Sequence, residues 1–124
     1  TQRPIDNGQR AAERSGRLQP RFRRMEQKSI VPEFVANAAR AGADTIEVEY
    51  KDGYEEVFAL RSGEGYGIAR FKSSSPEGTA LRRELYCLVK RKRRIVVDGA
   101  EYELRARVWD SFGEDAFRIQ LRRI

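Results

Sequence analysis

The chain of 124 residues contains no histidine, and it has only one cysteine and one methionine. Histidine is the side chain on which serine and cysteine triads, much acid–base catalysis and most catalytic zinc sites depend. The lone cysteine, Cys87, cannot form an intrachain disulfide, and it fits a reducing compartment. No GxxxxGK[ST] sequence is present, which excludes a P-loop nucleotide site. We therefore predict a protein that is not an enzyme and that needs no cofactor.

Long apolar stretches are also missing. No segment approaches the roughly 20 apolar residues of a membrane span, and the N-terminus lacks the apolar core of a secretory signal. Hydrophobic residues make up 40% of the chain and charged residues 35%, which allows one packed core under a heavily charged surface. Length and composition predict a single cytoplasmic domain without a membrane span.

The net charge of +6 is concentrated at the N-terminus. Residues 1–24 contain seven arginines against two acidic residues, a net +5, whereas residues 25–124 carry only +1. The first segment has few large apolar side chains, so we predict a disordered basic tail over 1–24 and one folded domain over 25–124. Met25 lies at this boundary, and two alternatives stay open: it is the natural first residue, or a native basic tail precedes it.

Hydrophobic periodicity and turn signals define two helices and six strands. Thr45–Lys51 alternates apolar and charged residues, and Asp52-Gly53 and Asp98-Gly99 are strong two-residue hairpin signals. Helix 2 has two possible starts: Ser74 with Glu77 as a capping box, or Ser75 as the cap before a proline. The predicted elements are a helix at 32–41, strands at 45–51, 54–61 and 66–72, a helix from 73–77 onward, strands at 94–97 and 101–109, a loop around 110–115 and a last strand.

This α-β-β-β-α-β-β-β order predicts an α+β domain with two layers. Alternating strands indicate an antiparallel sheet of about six strands, with two helices packed on one face. The two halves share a helix, a strand and an Asp-Gly turn in the same order. A duplicated unit and two hairpins with common turn chemistry are both open explanations.

Two groups of residues are candidates for binding. A run of five cations at the end of the second helix can bind an anion or nucleic acid, or can simply complement the helix dipole; it consists of Lys90, Arg91, Lys92, Arg93 and Arg94. On the C-terminal hairpin, pairing of Val108 with Phe117 places Arg107 opposite Arg118. The residues predicted to bind a partner there are Arg105, Arg107, Arg118, Arg122, Trp109 and Phe112.

The outer face of the first hairpin has the opposite charge. A two-residue Asp-Gly turn places Glu49 opposite Glu56, with Glu47 nearby, so the helix-free sheet face is expected to be acidic in its first half and basic in its second. Such a face is either a charge-complementary docking surface or a solvated surface whose charges pair with each other. Asp110, Glu114 and Asp115 match no metal-binding loop, and we predict no metal site.

Residues 34–49, FVANAARAGADTIEVE, resemble the start of the second N-terminal domain of type II secretion and type IV pilus assembly ATPases. In that family a helix runs into a strand like the one that ADTIEVE forms here. The resemblance implies a small domain that docks onto protein partners, and it assigns no functional residue. We therefore predict a protein-interaction module; the alternative is a nucleic-acid-binding module that uses residues 90–94 and the hairpin arginines.

Overall fold

The computed structural model describes residues 29–124. The predicted basic tail over 1–24 and the boundary at Met25 lie outside the described residues. The elements follow the predicted order: α1 (Val31–Arg40), β1 (Thr45–Lys51), β2 (Tyr54–Arg61), β3 (Glu64–Lys72), α2 (Pro76–Lys90), β4 (Arg93–Val97), β5 (Ala100–Ser111) and β6 (Glu114–Arg123). The α+β class and the α-β-β-β-α-β-β-β order are therefore confirmed.

All six strands form one antiparallel sheet in the order β3-β2-β1-β6-β5-β4. The centre of the sheet is the pairing of β1 with β6, in which Val48 lies opposite Phe117. Helix α1 contacts both edge strands, β3 and β4, and α2 contacts β3 and β5. The sheet therefore curls around the two helices, and its convex face carries no helix.

One core fills the space between the helices and the concave face of the sheet. Apolar side chains alternate along the strands with period two, which turns one side of every strand toward the helices. Phe34 and Leu85 come from the two helices, and Ile46 and Phe117 come from the central strands. Because both helices pack on the same face, the predicted two-layer arrangement is confirmed.

All four hairpins close with the same two-residue turn. In each turn both residues have positive φ, as a type I′ turn requires; the pairs are Asp52-Gly53, Ser62-Gly63, Asp98-Gly99 and Phe112-Gly113. The gap between the predicted strands at 54–61 and 66–72 and the predicted loop around 110–115 are both too long. In both places the two strands continue until only two residues remain between them. Extending the strands pairs the main-chain groups of all the other residues across the hairpin.

The start of each helix is fixed by a capping side chain. At α2 the hydroxyl oxygen of Ser75 accepts from the amide of Gly78 at 2.9 Å, so the cap before Pro76 is the correct alternative. Helix α1 has no cap of its own. Its first amides, those of Ile30 and Val31, donate at 2.8 and 3.0 Å to the carboxylate of Glu84 on α2. This contact joins the start of one helix to the middle of the other.

The strand order argues against a duplicated unit. In the first half the chain runs from the centre of the sheet to its edge, whereas in the second half it runs from the edge to the centre. No rotation superimposes two such halves while keeping both helices on one face. The shared Asp-Gly turns therefore reflect common hairpin chemistry.

Candidate functional site

The two predicted basic groups meet in one cleft, which we call the cationic cleft. It lies between the end of α2 and the convex face of β5 and β6, and its volume is about 560 Å³. Five of the lining residues are cations, and none is acidic. The lining residues are Leu88, Val89, Lys90, Lys92, Arg105, Ala106, Arg107, Arg118 and Gln120.

A difference in strand length creates this cleft. Strand β4 has five residues and β5 has twelve, and their pairing begins only where Arg93 lies opposite Leu104. From Arg105 onward β5 therefore has β6 on one side and no strand of the described chain on the other. The chain between α2 and β4 passes beside this open edge and places Lys90 and Lys92 there.

The predicted cross-strand register is confirmed, and it sets the charges of the cleft. Arg107 lies opposite Arg118, as expected from pairing of Val108 with Phe117. Of these two arginines, which repel each other, only Arg118 has a carboxylate partner within residues 29–124. Arg118 donates from Nε and Nη2 to Glu47 on β1, at 2.9 and 2.6 Å. Within residues 29–124, neither Arg107 nor Lys90 forms an ion pair.

Glu103 is the buried counter-charge at one end of the cleft. Its residue exposure is only 5%, although it lies on the helix-free face. Lys92 lies 3.5 Å from the carboxylate, Arg122 lies at 3.3 Å, and Arg105 at 3.7 Å. Burial by itself raises the pKa of the Glu103 carboxyl, but the three cations outweigh it and hold the pKa below its usual value. Three cations thus share a single carboxylate.

The remaining cations of the two predicted groups do not line the cleft. Arg122 reaches Glu103 from the far end of the hairpin, and Arg94 lies 3.7 Å from Glu101. Arg91 and Arg93 line a separate pocket of about 360 Å³, together with Cys87. The run over residues 90–94 is therefore divided between two sides of the α2–β4 connection.

The two aromatic residues of the hairpin have different surroundings. Trp109 is 37% exposed on the convex face, and the Arg118 guanidinium lies over its ring at 5.4 Å from the centroid. Phe112 is fully exposed at the tip, where its φ is +54°. Left-handed backbone is unfavourable for a bulky residue, and no packing at this position compensates for it. Phe112 is therefore a fully exposed aromatic side chain on left-handed backbone, and its predicted role in partner binding stays a prediction.

Two carboxylates of this hairpin, Asp110 and Asp115, accept hydrogen bonds from nearby groups of the fold. Asp110 and Asp115 lie opposite each other on paired strands. Asp115 accepts a hydrogen bond from the Tyr86 hydroxyl, which raises the pKa of that tyrosine. Asp110 accepts from the amide of Gly113 in the turn at 3.4 Å. In the described part of the chain, no three acidic or cysteine side chains are grouped so that they could hold a metal ion.

Comparison with known proteins gives no assignment. No family model matches the chain, and no curated protein has significant similarity to it. Between residues 29 and 124, neither helix combines the length and apolar character needed to cross a membrane. The site must therefore be interpreted from its own geometry.

Proposed function

We propose that this domain is a non-enzymatic docking module that binds an acidic segment of a protein partner in the cationic cleft. One observation carries the proposal: basic residues from two distant parts of the sequence line a single cleft that has no acidic wall. Glu47 and Glu103 neutralise part of this charge, and among residues 29–124 no carboxylate pairs with Lys90 or Arg107, which supports binding of an incoming carboxylate there.

The surroundings of the cleft favour a protein segment over a nucleic acid. The neighbouring outer face of β1 and β2 carries Glu47, Glu49 and Glu56, so a phosphate backbone crossing the sheet meets carboxylates. Nucleic-acid affinity depends on many phosphate contacts along a continuous basic surface. The cleft has a limited extent, and the fully exposed Phe112 offers an apolar contact at the end of the same hairpin.

Fluorescence anisotropy with a labelled hexaglutamate peptide tests the proposal. Arg107→Glu should weaken binding of this peptide about tenfold or more, because it reverses a charge in the cleft that has no ion-pair partner among residues 29–124. Lys51→Glu on β1 makes the same change in net charge at an exposed position away from the cleft, and it should leave the affinity nearly unchanged. Equal weakening by both variants would show that only overall charge matters, which contradicts a defined docking site.

A second candidate function, binding of single-stranded nucleic acid, is favoured by Trp109. Its ring lines a shallow pocket of about 250 Å³ with Arg107 and Arg118, next to the cationic cleft, and such aromatic surfaces can stack on bases. A labelled oligothymidylate separates the two functions. If it binds more tightly than hexaglutamate, with a steep salt dependence and a marked loss on Trp109→Ala, nucleic acid is the ligand and the docking proposal is wrong.

The resemblance of residues 34–49 to the N-terminal domains of secretion and pilus ATPases predicts the same class of function, and it stays a prediction. Helix α1 and strand β1, which carry the resemblance, form the centre of the sheet and part of the helix layer. Glu47 connects that region to the cleft through Arg118. A cytoplasmic location, expected from the lone cysteine, likewise stays a prediction.

A further inference from the structure

We infer that the segment bound in the cationic cleft is extended and adds as a seventh strand to the open edge of β5. This inference rests on the proposed docking function and specifies the form of the partner. The incoming strand would occupy the place that β4 would have if it began several residues earlier. Strand addition of this kind obtains affinity from main-chain hydrogen bonds and specificity from alternate side chains.

The main chain of β5 is arranged for such pairing. The amide of Ile124 donates to the carbonyl of Glu101 at 2.9 Å, so odd-numbered residues of β5 bond to β6. In an antiparallel sheet, the main-chain groups of successive residues point alternately to the two neighbouring strands. The main-chain groups of Ala106 and Val108 therefore point away from β6, toward the open edge. No turn, loop or side-chain hydrogen bond from residues 29–124 reaches those groups. Ala106 is only 9% exposed and lines the cleft, so these groups form a template that another strand reaches through the cleft.

The two walls of the cleft define which side chains the segment carries. The convex side presents Arg105 and Arg107, which match acidic residues. The concave side presents Leu88 and Val89 of α2, which match apolar residues. Because successive side chains of a strand point to opposite faces, the segment that fits alternates acidic and apolar residues.

The molecule already contains one strand with this pattern in an equivalent contact. Residues 46–49 of β1 read Ile-Glu-Val-Glu, with the apolar side chains in the core. The first of these glutamates, Glu47, accepts two hydrogen bonds from Arg118 across the β1–β6 pairing. An acidic and apolar strand beside β5 would contact Arg107 in the same manner.

Charge argues against the other available occupants. The N-terminal segment 1–24 of this chain has a net charge of +5, so the cationic cleft repels it. A second copy paired through the same edge would bring Arg105 and Arg107 of both copies together, which is unfavourable without an intervening anion. An acidic partner avoids both conflicts.

NMR of the full-length, ¹⁵N-labelled chain tests the inference with two probe peptides. The first is a capped Val-Glu repeat of six residues, and the second is the same peptide N-methylated at alternate residues. N-methylation preserves the charge but removes the main-chain donors that pair with β5. We expect the first peptide, at millimolar concentration, to slow exchange of the Ala106 and Val108 amides about tenfold, and the methylated peptide to leave their exchange unchanged.

Each alternative outcome has a distinct meaning. Equal binding of both peptides, abolished by Arg107→Glu, keeps the docking function and overturns strand addition. Amide protection that appears without peptide and increases with protein concentration assigns the edge to a second copy and overturns the inference. If neither peptide shifts any resonance of the cleft while oligothymidylate does, both the inference and the proposed function are wrong.

Discussion

The two three-stranded halves of the sheet close their hairpins in the same way but differ in how their strands are matched. Strands β1, β2 and β3 have seven, eight and nine residues, and every residue of β2 except Arg61 is paired on both sides. Strands β4, β5 and β6 have five, twelve and ten residues. The mismatch leaves residues 105–111 of β5 without a partner on the β4 side. In the first half the comparable stretch is shorter, since residues 49–51 of β1 have no partner on the β6 side.

The halves also differ in how their outer charges are balanced. In the first half Glu56 lies 3.4 Å from Arg70, which stacks over the Tyr54 ring at 3.7 Å. In the second half a single carboxylate, Glu103, serves three cations. The open edge and the surplus of positive charge therefore coincide. The docking proposal rests on this coincidence, which the first half of the sheet does not show.

The close contact between α2 in the second half and β3 in the first half lies at Gly78, near the start of α2. A Cβ at this position would lie 2.3 Å from the carbonyl oxygen of Lys72, so α2 must move away from the end of β3. We expect Gly78→Ala to lower the free energy of unfolding by about 3 kcal/mol, despite the better helix propensity of alanine. Urea denaturation measures this loss.

Gly67 on β3 provides the matched control. A Cβ there would lie 3.9 Å from the Phe58 ring, an ordinary contact, so Gly67→Ala should leave stability within about 1 kcal/mol of the parent. If the two variants lose the same stability, the close approach at Gly78 is not what sets the position of α2.

The helix layer that both halves share depends on Glu84. Its carboxylate accepts from the amides of Ile30 and Val31 and from the Ser29 hydroxyl. Glu84→Ala leaves the first turn of α1 uncapped, so we expect a loss of about 2 kcal/mol by urea denaturation. The exposed neighbour Arg83 is the control, since Arg83→Ala should change stability by less than about 0.5 kcal/mol. A loss as small as that of the control would show that α1 needs no cap.

The sequence predicts the fold well because its signals are local. Alternation identifies each strand, and Asp52-Gly53 and Asp98-Gly99 fix two hairpins with their register. The other two turns are predicted too long, because Ser62 and Phe112 are residues that seldom adopt positive φ. The cap that Glu84 supplies to α1 is missed because the two residues are about 50 positions apart in sequence.

The candidate site is predicted only in part, because its residues come from distant parts of the sequence. The sequence identifies the basic run and the hairpin arginines separately, and it pairs Arg107 with Arg118 correctly. It does not indicate that Lys90 and Lys92 share a cleft with those arginines, because that depends on where α2 ends relative to β5. The sequence does contain one indication of the cleft. The predicted strands at 94–97 and 101–109 differ in length, so the longer strand must have an unpaired edge.

A smaller effect is expected at the turns, where Phe112 in the second half is compared with Asp52 in the first. Both have φ near +50°, a conformation that asparagine tolerates well. Phe112→Asn should therefore raise the free energy of unfolding by about 1 kcal/mol. Asp52→Asn should leave it unchanged, because aspartate already suits this position. Thermal or urea denaturation measures both variants. If Phe112→Asn does not raise the free energy of unfolding, the backbone at this position is not strained.

The smallest change concerns the acid dependence of stability, to which Glu103 in the second half of the sheet contributes. The folded pKa of Glu103 lies below its usual value, so its carboxylate contributes stability above the unfolded pKa of about 4.5. As the pH falls, the unfolded chain binds the proton first, and this contribution is lost as the pH passes through the lowered folded pKa. Glu103→Gln should therefore reduce the loss of stability between neutral pH and about pH 4.

Urea denaturation at the two pH values compares Glu103→Gln with the parent chain, in which this carboxylate is shared by three cations. The same Glu103 variant removes a negative charge beside the cleft, and it should bind hexaglutamate severalfold more tightly at low salt. Unchanged affinity would show that Glu103 does not belong to the binding site. A carboxylate that competes with an acidic ligand for the same cations must strengthen binding of that ligand when it is neutralised.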